Sequence, residues 1–229
     1  MNKWMIIKVV RIEKTLTKKY GIKPFDNKKD PLSELIFTVL SQNTTDINRD
    51  RAFRSLKKRF STWEDVAKTT PAKLAAAIKA GGLAKIKAVR ILKMLRDIKN
   101  THSHLNLDFL HNWNDDRIRG YLLKIDGVGP KTAACVLAFS LGRNIMPVDT
   151  HVRRVSSRLG ILPAKMSDRT AHEYFCQFIE FVSLYQFHLN LIEHGRKVCR
   201  ARKPLCVKCF LKRSCSYYSK RNDSRRTEI

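Results

Sequence analysis

Residues 122–133 read Leu122-Leu123-Lys124-Ile125-Asp126-Gly127-Val128-Gly129-Pro130-Lys131-Thr132-Ala133. A Gly-x-Gly turn sits between two helical stretches, the pattern of a helix-hairpin-helix. Pro130 fits the first position of the second helix, where its missing N–H is no loss. The glycines permit positive φ and leave no Cβ in the way. The backbone of Gly127, Val128 and Gly129, with the N-terminus of the next helix, can cradle a phosphate. A P-loop needs Gly directly before Lys-Ser/Thr, and Pro130 intervenes. A dinucleotide fingerprint needs a preceding strand, and this turn follows a helix. The plain alternative is an ordinary corner between helices; charge and context favour phosphate. Such a hairpin grips a nucleic-acid backbone without reading its sequence, so alone it predicts binding and not chemistry.

The punctuation elsewhere is also helical. Asp30-Pro31 starts a helix carrying Leu32, Leu35, Ile36, Val39 and Leu40 at helical spacing. Thr70-Pro71 repeats the device, and Gly81-Gly82 predicts its end. Asn114 opens another helix, with Asp115 and Asp116 favoured by the helix dipole. Gly142 and Gly160 read as stops. No alternating strand pattern appears, so the fold class is all-α. The polar tail from Ser219, with Lys220, Arg221, Arg225 and Arg226, reads as disordered.

The 229 residues carry 46 Lys+Arg against 20 Asp+Glu, a formal net charge of +26. With 43% hydrophobic residues the chain is globular, and an excess of this size points to a polyanion, nucleic acid by default. No apolar run approaches the roughly 20 residues that span a bilayer, and Lys8 interrupts the N-terminal Met5–Val10 run. An intracellular protein with reduced thiols is expected, in the cytoplasm and nucleoid or in a nucleus, with no membrane partner.

Cys199, Cys206, Cys209 and Cys215 form C-x6-C-x2-C-x5-C. Four thiols in so short a segment are a ligand set. Zinc sites of four cysteines usually use two tight pairs, and only one pair here is tight. A cubane takes one thiolate at each corner and suits the loose outer gaps better, so spacing leans to [4Fe–4S] with zinc still open. Cys135 and Cys176 read as small buried hydrophobes.

Two residues could do chemistry. Lys131 lies in the first turn of a helix, where the positive dipole end disfavours it. Repulsion and partial burial would free its amine as a nucleophile; a simple phosphate partner is the plainer reading. Asp149, in Pro147-Val148-Asp149-Thr150-His151-Val152-Arg153-Arg154, reads as a helix N-cap. It can also shuttle a proton or stabilise positive charge on a sugar. His151 reads as a structural or phosphate contact.

GVGPKTA, then VDTHVRRV, then the cysteine spacing, in that order, resembles the endonuclease III family of DNA repair glycosylases. This is the helix-hairpin-helix superfamily with a Gly/Pro-rich loop and an aspartate. The similarity runs from about Leu32 to Cys215. It implies a six-helix barrel domain over residues 25–141, an iron–sulfur cluster domain from 1–24 and 142–218, and a basic tail over 219–229. It also implies a [4Fe–4S] cluster on the four cysteines and a monomer acting on double-stranded DNA across the cleft between the lobes. A damaged base, expected to be an oxidised pyrimidine, is flipped out. Lys131 then attacks C1′, a Schiff base forms, and β-elimination nicks the strand, with Asp149 assisting. Uracil or mismatch glycosylase, abasic-site lyase and a non-catalytic DNA-binding module are the alternatives.

Within that resemblance Leu83 matches a wedge inserted where the base was, against a reading as a core leucine. Leu40–Asp46 matches the gap-filling strip. Asn43 falls where endonuclease III has glutamine and Gln42 one place earlier, so either amide can fill the hole. Asp46 reads as a cap or a bridge. A basic loop, with Arg200, Arg202, Lys203 and Lys208, is implied to touch the DNA backbone.

Overall fold

A computed structural model describes residues 2–25, 29–163 and 165–226. Every regular element among them is helical. No helix there is long and apolar enough to cross a membrane. The chain divides into two compact units: Asp26–Arg143, and Met1–Phe25 together with Asn144–Ile229.

The continuous unit holds α2 (Pro31–Ser41), α3 (Asp46–Arg59), α4 (Trp63–Lys68), α5 (Pro71–Ala77), α6 (Ala84–His102), α7 (Asp115–Leu122) and α8 (Pro130–Phe139). Their starts are local chemistry. Asp30 accepts from Ser33 N–H at 2.8 Å with Pro31 behind it. Thr62 and Asp65 form a reciprocal capping box. Thr70 accepts from Lys73 N–H, and Asn114 from Arg117 N–H at 2.9 Å. α5 ends at Ala77 rather than at the glycines, because a 3-10 turn, Lys79–Gly81, carries the chain on to Gly82 at φ 67. α2 packs against α3, α6 and α8, and it is apolar nearly all round, with Leu32, Leu35, Ile36, Val39 and Leu40 fully buried. Each such side chain contributes about 1.5–3 kcal/mol.

The discontinuous unit holds α1 (Lys3–Tyr20), α9 (Thr150–Leu159), α10 (Asp168–Cys176), α11 (Leu184–Lys197) and α12 (Ser216–Arg226). Val9, Ile12 and Leu16 of α1 share one core with Val152 and Val155 of α9 and Phe187 and Leu191 of α11. Gly195 lets α9 and α11 approach, since a Cβ there would meet His151 Nδ1 at 2.9 Å and Arg154 Nη2 at 3.0 Å. Residues 219–226 continue α12 where the sequence reading put a disordered tail, and 227–229 lie outside the described residues. Cys135 is buried as expected, but Cys176 at the end of α10 is only half-buried.

Candidate active site and nucleic-acid interface

In the continuous unit the hairpin is residues 123–129, between α7 and α8. Gly127 sits at φ 80, and a Cβ there would collide with the Arg90 side chain, its Nε at 2.6 Å. Val128 N–H is occupied by Ile125 O at 3.0 Å. That takes Val128 N–H out of the expected cradle and leaves Gly127, Gly129 and the first-turn amides of α8. A Cβ on Gly129 would meet nothing within 4 Å, so the turn is open above it.

Among α1–α11 nine helices have their N-termini closed by a side chain. α6 and α8 do not. A helix start without a cap leaves its leading N–H groups for an anion. Lys131 stands in the first turn of α8, half-buried, with no hydrogen-bond or ion-pair partner among the described residues.

Behind it lies a carboxyl that sequence reasoning passed over. Glu34 of α2 is 4% exposed. Thr38 Oγ1 donates to its Oε1 at 3.2 Å, and Lys29 Nζ stands 3.8 Å from Oε2. Burial pushes its pKa up to about 7 against the opposing pull of Lys29, Arg49 and Lys131. A cation at 3.8 Å ordinarily holds a carboxyl down; here desolvation wins. Between the unfolded value of 4.5 and about 7 the folded chain holds this proton more tightly than the unfolded one, so stability falls as pH rises through that window. Glu34→Gln removes the titration. Urea unfolding is expected to show the variant more stable at pH 8 by on the order of 3 kcal/mol and little different near pH 4. Parallel stability curves would rule the account out.

The strip and the wedge turn lie side by side. Gln42 ends α2, half-buried, and its Oε1 accepts from Arg90 Nη1 at 2.8 Å. Asn43 is exposed in the left-handed region at φ 52. Asp46 pairs with Arg49 at 3.0 Å, one of the two roles expected for it. Leu83 is also left-handed, at φ 48, and 51% exposed, which removes the core-leucine reading. Lys87, 2% exposed, ties the two turns: its Nζ donates to Leu40 O and Gly81 O, both at 2.8 Å. Those two acceptors let an ammonium whose pKa burial lowers stay inside the fold.

In the discontinuous unit Asp149 is half-buried and caps α9, its Oδ1 accepting from Val152 N–H at 2.7 Å. The loop before it is pinned by groups the sequence did not flag. Val148 N–H donates to His172 Nε2 at 2.9 Å, His188 Nδ1 meets Pro147 O at 2.8 Å, and Leu184 N–H donates to Asn144 Oδ1 at 2.7 Å. His151 accepts from Arg154 Nη2 at 3.1 Å, since a guanidinium only donates. Arg154 also holds Gly195 O and Cys199 O, each at 3.0 Å.

Cys199, Cys206, Cys209 and Cys215 line one cavity with Val155, Leu159 and His194. Among the described residues no three Cys, His, Asp or Glu side chains converge on a single-ion site. Burial pushes the Cys209 thiol up to about 11 and raises Cys215, with Cys199 and Cys206 adding to both. Arg158 Nη1 reaches Cys199 Sγ at 3.5 Å, and its two Nη atoms hold Arg200 O and Ala201 O at 2.7 and 3.0 Å. That fixes the start of a loop on which Arg200, Arg202, Lys203 and Lys208 are exposed.

The family model of the HhH-GPD superfamily of base excision DNA repair proteins matches residues 36–180. This chain belongs to that superfamily. An endonuclease III of Thermotoga maritima is 34% identical over 192 residues, 84% of this chain and 85% of its own length. An Arabidopsis thaliana relative is 37% identical over 168 residues, which are 73% of this chain but 57% of that protein. A solved complex of endonuclease III with DNA, trapped as a covalent intermediate, superposes with a TM-score of 0.76 at 27% identity, over 97% of this chain and 99% of that one. Within the HhH-GPD superfamily the chain is thus an endonuclease III-type DNA glycosylase/AP lyase. The HhH-GPD match takes in the hairpin, Lys131 and Asp149 and stops before the four cysteines.

Proposed function

We propose that this chain removes an oxidised pyrimidine from double-stranded DNA and nicks the strand at the resulting abasic site, working as a monomer. The observation that carries this reading is the α8 start: a helix left uncapped, with a lysine amine that has no partner among the described residues in its first turn. Amides of Gly129 and the first turn bind backbone phosphate. The Lys131 amine attacks C1′ as the C1′–N bond to the base breaks. The amine's proton passes to Asp149 and on to the leaving base. The C1′–O4′ bond then opens, O4′ taking a proton from water, and the amine nitrogen forms the C1′ iminium. The iminium makes the C2′ proton acidic; its loss and cleavage of the C3′–O bond, with the phosphate leaving, give the nick. Leu83 and the Gln42-Asn43 strip occupy the space of the flipped base.

Cys199, Cys206, Cys209 and Cys215 are the ligands for a [4Fe–4S] cluster. Four thiols that line one cavity, with a single tight C-x2-C pair and loose outer gaps, fit a cubane better than zinc. The group's work is structural: it holds the basic loop from Arg200 to Lys208 for phosphate contact. Protein purified without air is expected to be brown with about four irons per chain, and Cys209→Ser to lose both colour and iron. Colourless protein holding one zinc would overturn the assignment.

Borohydride trapping tests the activity on two duplexes, one with an oxidised pyrimidine and one with a preformed abasic site. Covalent complex on both is the expected result. Trapping on the abasic duplex alone would leave a lyase with another glycosylase substrate, and none on either would reject the lysine chemistry.

A further inference from the structure

We infer that Arg90 decides how Gln42 meets the base opposite the flipped nucleotide, by turning the donor end of that amide outward. The inference rests on the strip's proposed role in filling the hole. An amide's oxygen and nitrogen ends are alike in shape and opposite in chemistry. A guanidinium carries donors only, so the end of Gln42 that lies 2.8 Å from Arg90 Nη1 is the oxygen. Reversing the amide would set donor against donor. What Gln42 has left to offer is its NH2.

Arg90 is itself held. Its stem lies against Gly127, where any Cβ would meet Nε at 2.6 Å and Cγ at 3.0 Å. The Asp126 carboxylate feels its charge and is tied to Lys93 at 2.7 Å. One turn earlier on α6, Lys87 fixes Leu40 O, two residues before Gln42. α6 therefore sends two cations to the C-terminal end of α2, the end where a helix dipole favours them. Together they link strip, wedge turn and hairpin. An amide so held presents one donor pattern. Bases differ in the acceptors they turn toward it, so a fixed donor discriminates where a freely turning amide accepts all.

The test is affinity for four duplexes carrying a stable abasic-site analogue opposite each of the four bases. Wild type is expected to show a spread, and Arg90→Ala to shrink it by about tenfold, the weight of one oriented hydrogen bond. Arg90→Lys keeps a donor and should recover part of the spread. Gln42→Glu keeps an oxygen toward Arg90 but has no NH2, so it should lose the spread with Arg90 intact. A flat wild-type profile, a spread that Arg90→Ala leaves intact, or weakening by the same factor on all four duplexes would overturn the inference. So would a salt dependence shallower by about one phosphate contact in Arg90→Ala, because the guanidinium would then serve the backbone. The readout needs no turnover, so a chain that bound with the expected spread but trapped nothing would defeat the lyase reading alone.

Discussion

Lys131→Ala should give no borohydride-trapped complex and nick abasic DNA at least about a thousandfold more slowly than wild type. The whole covalent route passes through one nitrogen. Truncating a half-buried lysine without a partner among the described residues removes no packed core and breaks no recorded hydrogen bond, so folding should survive. Lys131→Arg separates two roles. It keeps a cation near the phosphate and beside Glu34 but offers no usable nucleophile. Both variants should still bind an abasic duplex, with the arginine form the tighter. Nicking within tenfold of wild type by either protein would remove the amine from the mechanism.

Asp149→Asn is expected to slow base release by about a hundred- to a thousandfold. The substitution is informative because Asn caps helices about as well as Asp. The 2.7 Å bond from Val152 N–H to Oδ1 can persist while the charge is gone. A large effect thus belongs to the carboxylate. Single-turnover release at saturating enzyme measures it, and a rate equal to wild type would return Asp149 to a helix cap and nothing more. Asp149→Ala loses cap and charge together and should also lower thermal stability.

What could be read from the chain alone was what is local. Asp30, Thr70 and Asn114 announce helices because a cap reaches only three residues ahead. Gly127 announces a turn because φ 80 suits glycine. Leu83 could not be placed, since what sets it outward is Lys87 bonding Leu40 O, 47 positions away. His172 and His188 hold the loop before Asp149 from 24 and 41 residues off, and nothing in a histidine's neighbours announces that. Glu34 was hidden for another reason: amid an apolar helix a single acid reads as a solvated face, yet α2 has none. One of the three hairpin amides, that of Val128, bonds back to Ile125 O within the turn, a closure that no residue type announces.

The discontinuous unit has a consequence in the order of synthesis. α1 leaves the ribosome before α9 and α11, which carry the partners of Val9, Ile12 and Leu16. At roughly 5–20 residues per second this helix waits on the order of ten seconds or more, its apolar stripe open to chaperones. Meanwhile Asp26–Arg143, continuous in sequence, is complete and can fold. The four cysteines are made after all of these helices, so the cluster proposed on them would be loaded onto a chain whose hairpin residues have already been synthesised.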